Sequence, residues 1–154
     1  MEFYFDTSYV AKCYLNEQGS ADIRALAQNA AGLASLAIAQ VEFHSAVRRH
    51  VIEKSLTSLQ AASVLANFES DLKSGTWEFY PVTTETIQRA RQGLEDIPSD
   101  RVLRAADALH LACAAENDCA KFYSDDRRQL AAAPYFGLEG LNLLAQDSNP
   151  GGAE

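Results

Sequence analysis

Positive charge is in short supply in this chain: 13 Lys and Arg stand against 21 Asp and Glu, a net charge of −8 over 154 residues. That balance excludes nucleic-acid binding by bulk charge, so a polyanion would have to be met by a local basic rim or through bound cations. Long hydrophobic runs are also missing. None approaches the roughly 20 residues that cross a bilayer, which excludes a helical membrane span. The opening MEFYFDTS has no basic n-region and breaks at Asp6, which predicts no signal peptide and a cytoplasmic location. Cysteine is limited to Cys13, Cys113 and Cys119, an odd number with no CxxC pair. Reduced core thiols are expected rather than disulfides or zinc ligands. What is present is ordinary for a folded domain: 47% hydrophobic and 22% charged residues, in a chain long enough to bury one core.

Strand-like and helix-like segments alternate. Residues 2–6, 33–38, 76–82, 120–125 and 141–144 read as strands from their apolar and aromatic content. Between them, helices are predicted over about 8–17, from a Ser20 cap to a Gly32 terminator, and over 39–54. Thr57 with Gln60 forms a capping-box pattern opening a helix with Ala61, Leu65, Phe68 and Leu72 inward. Further helices are predicted over 84–95 (Ile87, Ala90 and Leu94 inward), 102–117 and 127–133. Such alternation implies a three-layer α/β/α domain around a mostly parallel sheet of four to five strands. Residues 1–145 make that domain, and QDSNPGGAE, which has nothing to build a core with, leaves 146–154 as a flexible tail.

In such sheets ligands bind beyond the carboxyl ends of the strands. Acidic residues fall there repeatedly. Asp6 ends the first strand, Glu42 lies early in the helix after the second, and Asp125 and Asp126 end the fourth. Asp107 interrupts VLRAADALHLACAA, a helix apolar nearly all round, on the face of Leu103, Ala106, His110 and Ala114. Each has an ordinary local reading: Asp107 paired with Arg104 or His110, Asp6 in a turn, Glu42 facing a helix dipole, Asp125 or Asp126 as a cap. Taken as a set, clustered carboxylates cannot all ionise uncompensated. A hard divalent cation held by oxygen removes the conflict and points to phosphate-ester chemistry.

These segments resemble the PIN-domain ribonucleases, and among them the VapC toxins of type II toxin–antitoxin pairs. FDTS is similar to the family's first motif, AQVEFHSAV to its second, LRAADALHLA to its third and FYSDDRRQLA to its fourth; the likeness spans residues 2–144. The resemblance implies Asp6, Glu42, Asp107 and Asp126 as the catalytic, Mg²⁺- or Mn²⁺-binding acids of an RNA phosphodiester hydrolase that leaves a 5′-phosphate. Asp125 takes the variable middle position of the fourth motif, so it either joins the metal site or only shapes the turn. Ser124 takes the hydroxyl position. Thr7 and Ser8 are candidates to orient Asp6 or touch phosphate, or to cap the next helix, and His110 is read as a core or supporting residue.

Arg48, Arg49, Arg104, Arg127 and Arg128 each adjoin a motif and could rim the acidic centre as RNA contacts, or be solvated surface charges. The resemblance further implies a homodimer and a VapB-like antitoxin laid along the active-site groove. Two other readings compete. One is a catalytically silent PIN-fold module that binds RNA or protein. The other is a different Mg²⁺-dependent phosphohydrolase with Asp6 as nucleophile; it would need a second Asp at position 8, which is Ser.

Overall fold

Alternation along the first strand sets the layers. The computed structural model describes residues 2–119 and 121–144; the tail expected at 146–154 lies outside these residues. In β1 (Glu2–Phe5), Tyr4 joins one core and Phe5 another, on opposite faces of the sheet. The Phe5 face is covered by α1 (Thr7–Tyr14), α2 (Ser20–Gln28), α3 (Ala39–Ile52) and α4 (Ser58–Ser74). The Tyr4 face is covered by α5 (Thr84–Asp96), α6 (Ala105–Glu116), α7 (Arg127–Ala132) and the 3₁₀ turn Ala133–Phe136.

The remaining strands are β2 (Gly32–Leu36), β3 (Trp77–Tyr80), β4 (Lys121–Tyr123) and β5 (Glu139–Leu141), and all pairings are parallel in the order β3-β2-β1-β4-β5. The chain starts at the centre, works outward to β3, then returns through α5 and α6 to place β4 on the other side of β1. The strand order therefore reverses at β1, where a crevice opens at the carboxyl edge. Three backbone bonds keep that edge aligned: Asp6 N to Tyr123 O at 3.0 Å, Ser124 N to Leu141 O at 3.1 Å and Ala37 N to Tyr80 O at 2.8 Å.

The capping box at Thr57 and Gln60 is formed, and α4 ends on Gly75 at φ 73°. Other expectations need correction. Ser20 is not a cap: Gly19 holds that position in the left-handed region at φ 80°, and Ser20 Oγ instead donates to Leu15 O at 2.7 Å. Gly32 opens β2, and α2 ends at Asn29. The helix expected from residue 102 begins at Ala105, which puts Asp107 in its first turn and half-buried rather than deep in an apolar helix. The last strand is Glu139–Leu141, not 141–144; Gly140 lets it lie against α7, where an added Cβ would stand 3.1 Å from Leu130 Cδ2. Leu143 and Leu144 pack on the α1-side core after the strand has ended.

In α5, Ala90 faces in as expected, but Ile87 and Leu94 are exposed; Thr86 and Gly93 share the buried face. Small residues set that phase because the neighbouring surface is the Phe136 ring. A Cβ on Gly93 would fall 2.0 Å from Phe136 Cζ, and the ring is buried. Gly93→Ala should therefore destabilise by about 1–3 kcal/mol despite Ala's better helix propensity. Thermal unfolding checks this, and a midpoint equal to or above wild type would refute the packing account.

Candidate functional site

The crevice at β1 is a cleft of about 840 Å³. Asp6, Glu17, Glu42, Glu53, Asp107, Asp125 and Asp126 line it, seven carboxylates, against Lys12, Arg49 and Arg104. The four acids singled out by sequence thus come from the residue after β1, from α3, from α6 and from the turn between β4 and α7 to one cavity.

Asp6 is both cap and acid. Following β1 directly, it caps α1: its Oδ1 accepts from Tyr9 N at 3.1 Å and Ser8 Oγ at 2.6 Å. Its Oδ2 accepts from Ser124 Oγ at 2.6 Å. Burial pushes the Asp6 carboxyl up to about 6, against the opposing pull of the Ser124 and Ser8 hydroxyls, the His110 ring and the Tyr9 amide. Ser124 is itself fully buried. Its oxygen also accepts from Asp126 N at 3.0 Å and lies 3.0 Å from Gln129 Oε1.

Glu42 reaches the cleft from the first turn of α3. Its Oε1 accepts from Thr7 Oγ1 at 2.7 Å and His110 Nε2 at 2.9 Å. The other ring nitrogen, Nδ1, lies 2.9 Å from the Tyr4 hydroxyl. Burial holds the Tyr4 phenol well above its ordinary range, so it keeps its proton. The His110 ring thus bridges the Tyr4 hydroxyl in the core and the Glu42 carboxylate at the cleft. Burial works to raise the Glu42 carboxyl, but the His110 ring and the Thr7 hydroxyl outweigh it and the net direction is downward.

Asp107 differs. Among the described residues its carboxylate accepts no hydrogen bond and pairs with neither Arg104 nor His110 in a salt bridge; only its backbone carbonyl is engaged, by Gln129 Nε2 at 3.3 Å. Burial raises its carboxyl, the charge of Asp126 raises it further, and His110 and Arg104 only partly offset this. Asp126 Oδ1 caps α7 through Arg128 N at 2.9 Å and Gln129 N at 3.3 Å. Asp125 is engaged elsewhere: Lys12 Nζ lies 2.9 Å from its Oδ2.

The arginines separate. Arg49 and Arg104 line the acidic cleft; Arg48 is exposed outside it, and Arg127 and Arg128 line a neighbouring cavity. Sequence reasoning missed Lys12 and Gln129. Lys12 lies one turn after Ser8 on α1, and that spacing was its available signal. Gln129 lies three residues after Asp126 and is buried.

Among the described residues, no three His, Cys, Asp or Glu side chains close around one point as a ready-made cage. The donor set nonetheless fits a hard cation. Its four acids offer oxygen, the cleft opens to water, and burial together with the like charge of Asp126 raises Asp107, a conflict a cation would relieve. Mg²⁺ characteristically keeps several waters and takes one or two carboxylates besides substrate phosphate, so an open arrangement suits it.

The PIN domain profile matches residues 3–134. Two solved structures resemble the fold. One is the toxin VapC20 of Mycobacterium tuberculosis, described as cleaving the sarcin–ricin loop: 15% identity, 84% of this chain and 94% of that chain covered, TM-score 0.65. The other is VapBC2 of Rickettsia felis bound to a fragment of promoter DNA: 18% identity, 92% and 98% covered, TM-score 0.61. No curated protein matches the sequence at a significant level.

Proposed function

The chain belongs to the PIN-domain family, and from that premise we propose that it is a Mg²⁺- or Mn²⁺-dependent endoribonuclease acting as a VapC-type toxin. One observation carries the reading: Asp6, Glu42, Asp107 and Asp126 line a single cleft at the strand reversal, with an unpartnered Asp107 raised by burial and by its neighbour's charge. Asp6, Asp107, Asp126 and Glu42 would hold the cation. Bound there, it would supply the Lewis acidity that activates water and offsets charge on the phosphodiester under attack.

The chain's own residues prepare the site. Ser8, Ser124 and the Tyr9 amide fix both oxygens of Asp6, and His110 with Thr7 fixes one oxygen of Glu42. Each then presents its carboxylate in one orientation, without a search at the moment of binding. Arg49 and Arg104 give the strand's phosphates positive partners at the rim of an otherwise acidic cleft. In hydrolysis the water oxygen forms the new bond to phosphorus while the bond to the 3′ oxygen breaks. That leaves a 5′-phosphate and a 3′-hydroxyl, with no protein nucleophile. Asp125, tied to Lys12, belongs to the wall of the site rather than to its ligand set. The VapBC2 neighbour supports a VapB-like antitoxin as partner; a second copy of the chain and a cytoplasmic setting complete the proposal.

A mixed RNA pool incubated with Mg²⁺, Mn²⁺ or EDTA tests the reading. Cutting with either ion, suppressed by EDTA, is expected. The buried Asp6 carboxyl also predicts a stability effect in the metal-free protein. Because the folded carboxyl sits at about 6 rather than 3.8, the native state binds the proton more tightly. Without a cation, stability should fall as pH rises between those values, by on the order of 3 kcal/mol. Metal binding without cleavage of any RNA would favour the silent module instead.

A further inference from the structure

The acidic cleft has a positive neighbour. A second cavity, about 370 Å³, is lined by Arg101, Arg127 and Arg128 with Asp100 as its only carboxylate. All three arginines are exposed, and among the described residues none pairs with an acid. Residues adjacent in the chain line the two cavities at two places: Leu103 lines one and Arg104 the other, and Arg127 lines one and Asp126 the other. Adjacent residues stand about 3.8 Å apart, which puts the two linings within one nucleotide's reach of each other along the chain. The wall between the guanidinium groups is apolar, built from Leu103 and Val102, the latter 59% exposed.

We propose that this cavity is a nucleotide subsite for the RNA strand flanking the cleaved bond. The inference rests on the nuclease reading and deepens it. A flanking nucleotide presents an anionic phosphate joined to a flat, weakly polar base. Three unpaired guanidinium groups beside an exposed valine and a half-buried leucine match both parts. Guanidinium binds phosphate through two parallel hydrogen bonds and stacks on planar rings. The division of charge also has a logic. The acids need cations before they can accept a phosphate, whereas the second cavity is positive already and can seat the strand first. An acidic protein thereby gains affinity for RNA at one place without a basic surface.

The test uses the triple variant Arg101→Gln, Arg127→Gln, Arg128→Gln beside its triple Lys counterpart. Binding of a fluorescent single-stranded RNA oligonucleotide is followed by anisotropy in EDTA over a salt series, so that cleavage plays no part. Loss of three contacts at about 0.7 each should flatten the slope of log affinity against log salt by about 2. Affinity at low salt should fall by about 10-fold or more, with partial recovery in the Lys variant. An unchanged slope and affinity, or absence of RNA binding by wild type, overturns the subsite. So does unchanged RNA binding with weakened capture of poly-glutamate, which would assign the cavity to an acidic protein partner. Wild-type cleavage of the RNA pool with Mg²⁺, measured in parallel, separates the two readings. Cleavage with an unaffected triple variant removes the subsite and keeps the nuclease. Weakened binding in a protein that never cuts does the reverse.

Discussion

Asp107→Asn is expected to lower metal-dependent RNA cleavage by on the order of 10³-fold, the cost of several kcal/mol of transition-state charge stabilisation. The substitution removes one negative charge and leaves shape nearly unaltered, so its effect reports on charge. Asp107 is the acid with the fewest local duties: it caps nothing, its carboxylate accepts no hydrogen bond among the described residues, and no salt bridge holds it. Burial and Asp126 both make its ionised form costly. The variant should therefore be as stable as wild type at pH 7.5, or more so. The sign follows from the raised carboxyl. Wild type recovers this penalty as pH falls and Asp107 takes up a proton, so the difference in thermal midpoint should shrink as the pH is lowered. Added Mg²⁺ should stabilise wild type more than the variant. A variant that cuts RNA at the wild-type rate would remove Asp107 from the site, and one that is much less stable would show the carboxylate has a structural partner.

Much of this was legible in the sequence, for a physical reason. Strand ends and early helix turns are local features, and a parallel sheet delivers all of them to one edge. Asp6, Glu42, Asp107 and Asp126 could be placed together without knowing any distance. Contacts across the chain were not legible. The Tyr4–His110 bond joins residues 106 apart, and the Ser124–Asp6 bond joins residues 118 apart. No periodicity encodes either. Lys12 shares a helix face with Ser8, but nothing local marks its pairing with Asp125, far along the chain. Helix phase failed where small residues decided it: α5 reads as an Ile87 and Leu94 stripe, yet the Phe136 ring admits only the Gly93 and Ala90 side. Two of the arginines were placed less accurately, while Arg49 and Arg104 do line the acidic cleft. Adjacency to a motif put Arg127 and Arg128 at the acids, but α7 turns them into the next cavity.

His110→Ala should be costly in both stability and activity, and the two losses can be told apart. The ring is buried and joins Tyr4, deep in the α6-side core, to Glu42 at the cleft. Its removal leaves a cavity and strands the Tyr4 hydroxyl without an acceptor, together about 3–5 kcal/mol. For a domain of this size that is a drop of about 6–20 °C in thermal midpoint. At a temperature where the variant is still folded, cleavage should also fall by about 10–100-fold, because Glu42 loses the donor that orients it. Tyr4→Phe separates the effects. It removes the phenol's hydroxyl but leaves the His110 bond to Glu42, so it should cost about 1 kcal/mol and little activity. If the ring acts through Glu42, then Glu42→Gln and His110→Ala should be less than additive in activity. The metal concentration giving half-maximal rate should rise in each. Additive losses with an unshifted metal requirement would reduce His110 to a core residue, and Glu42 would then be held by Thr7 alone.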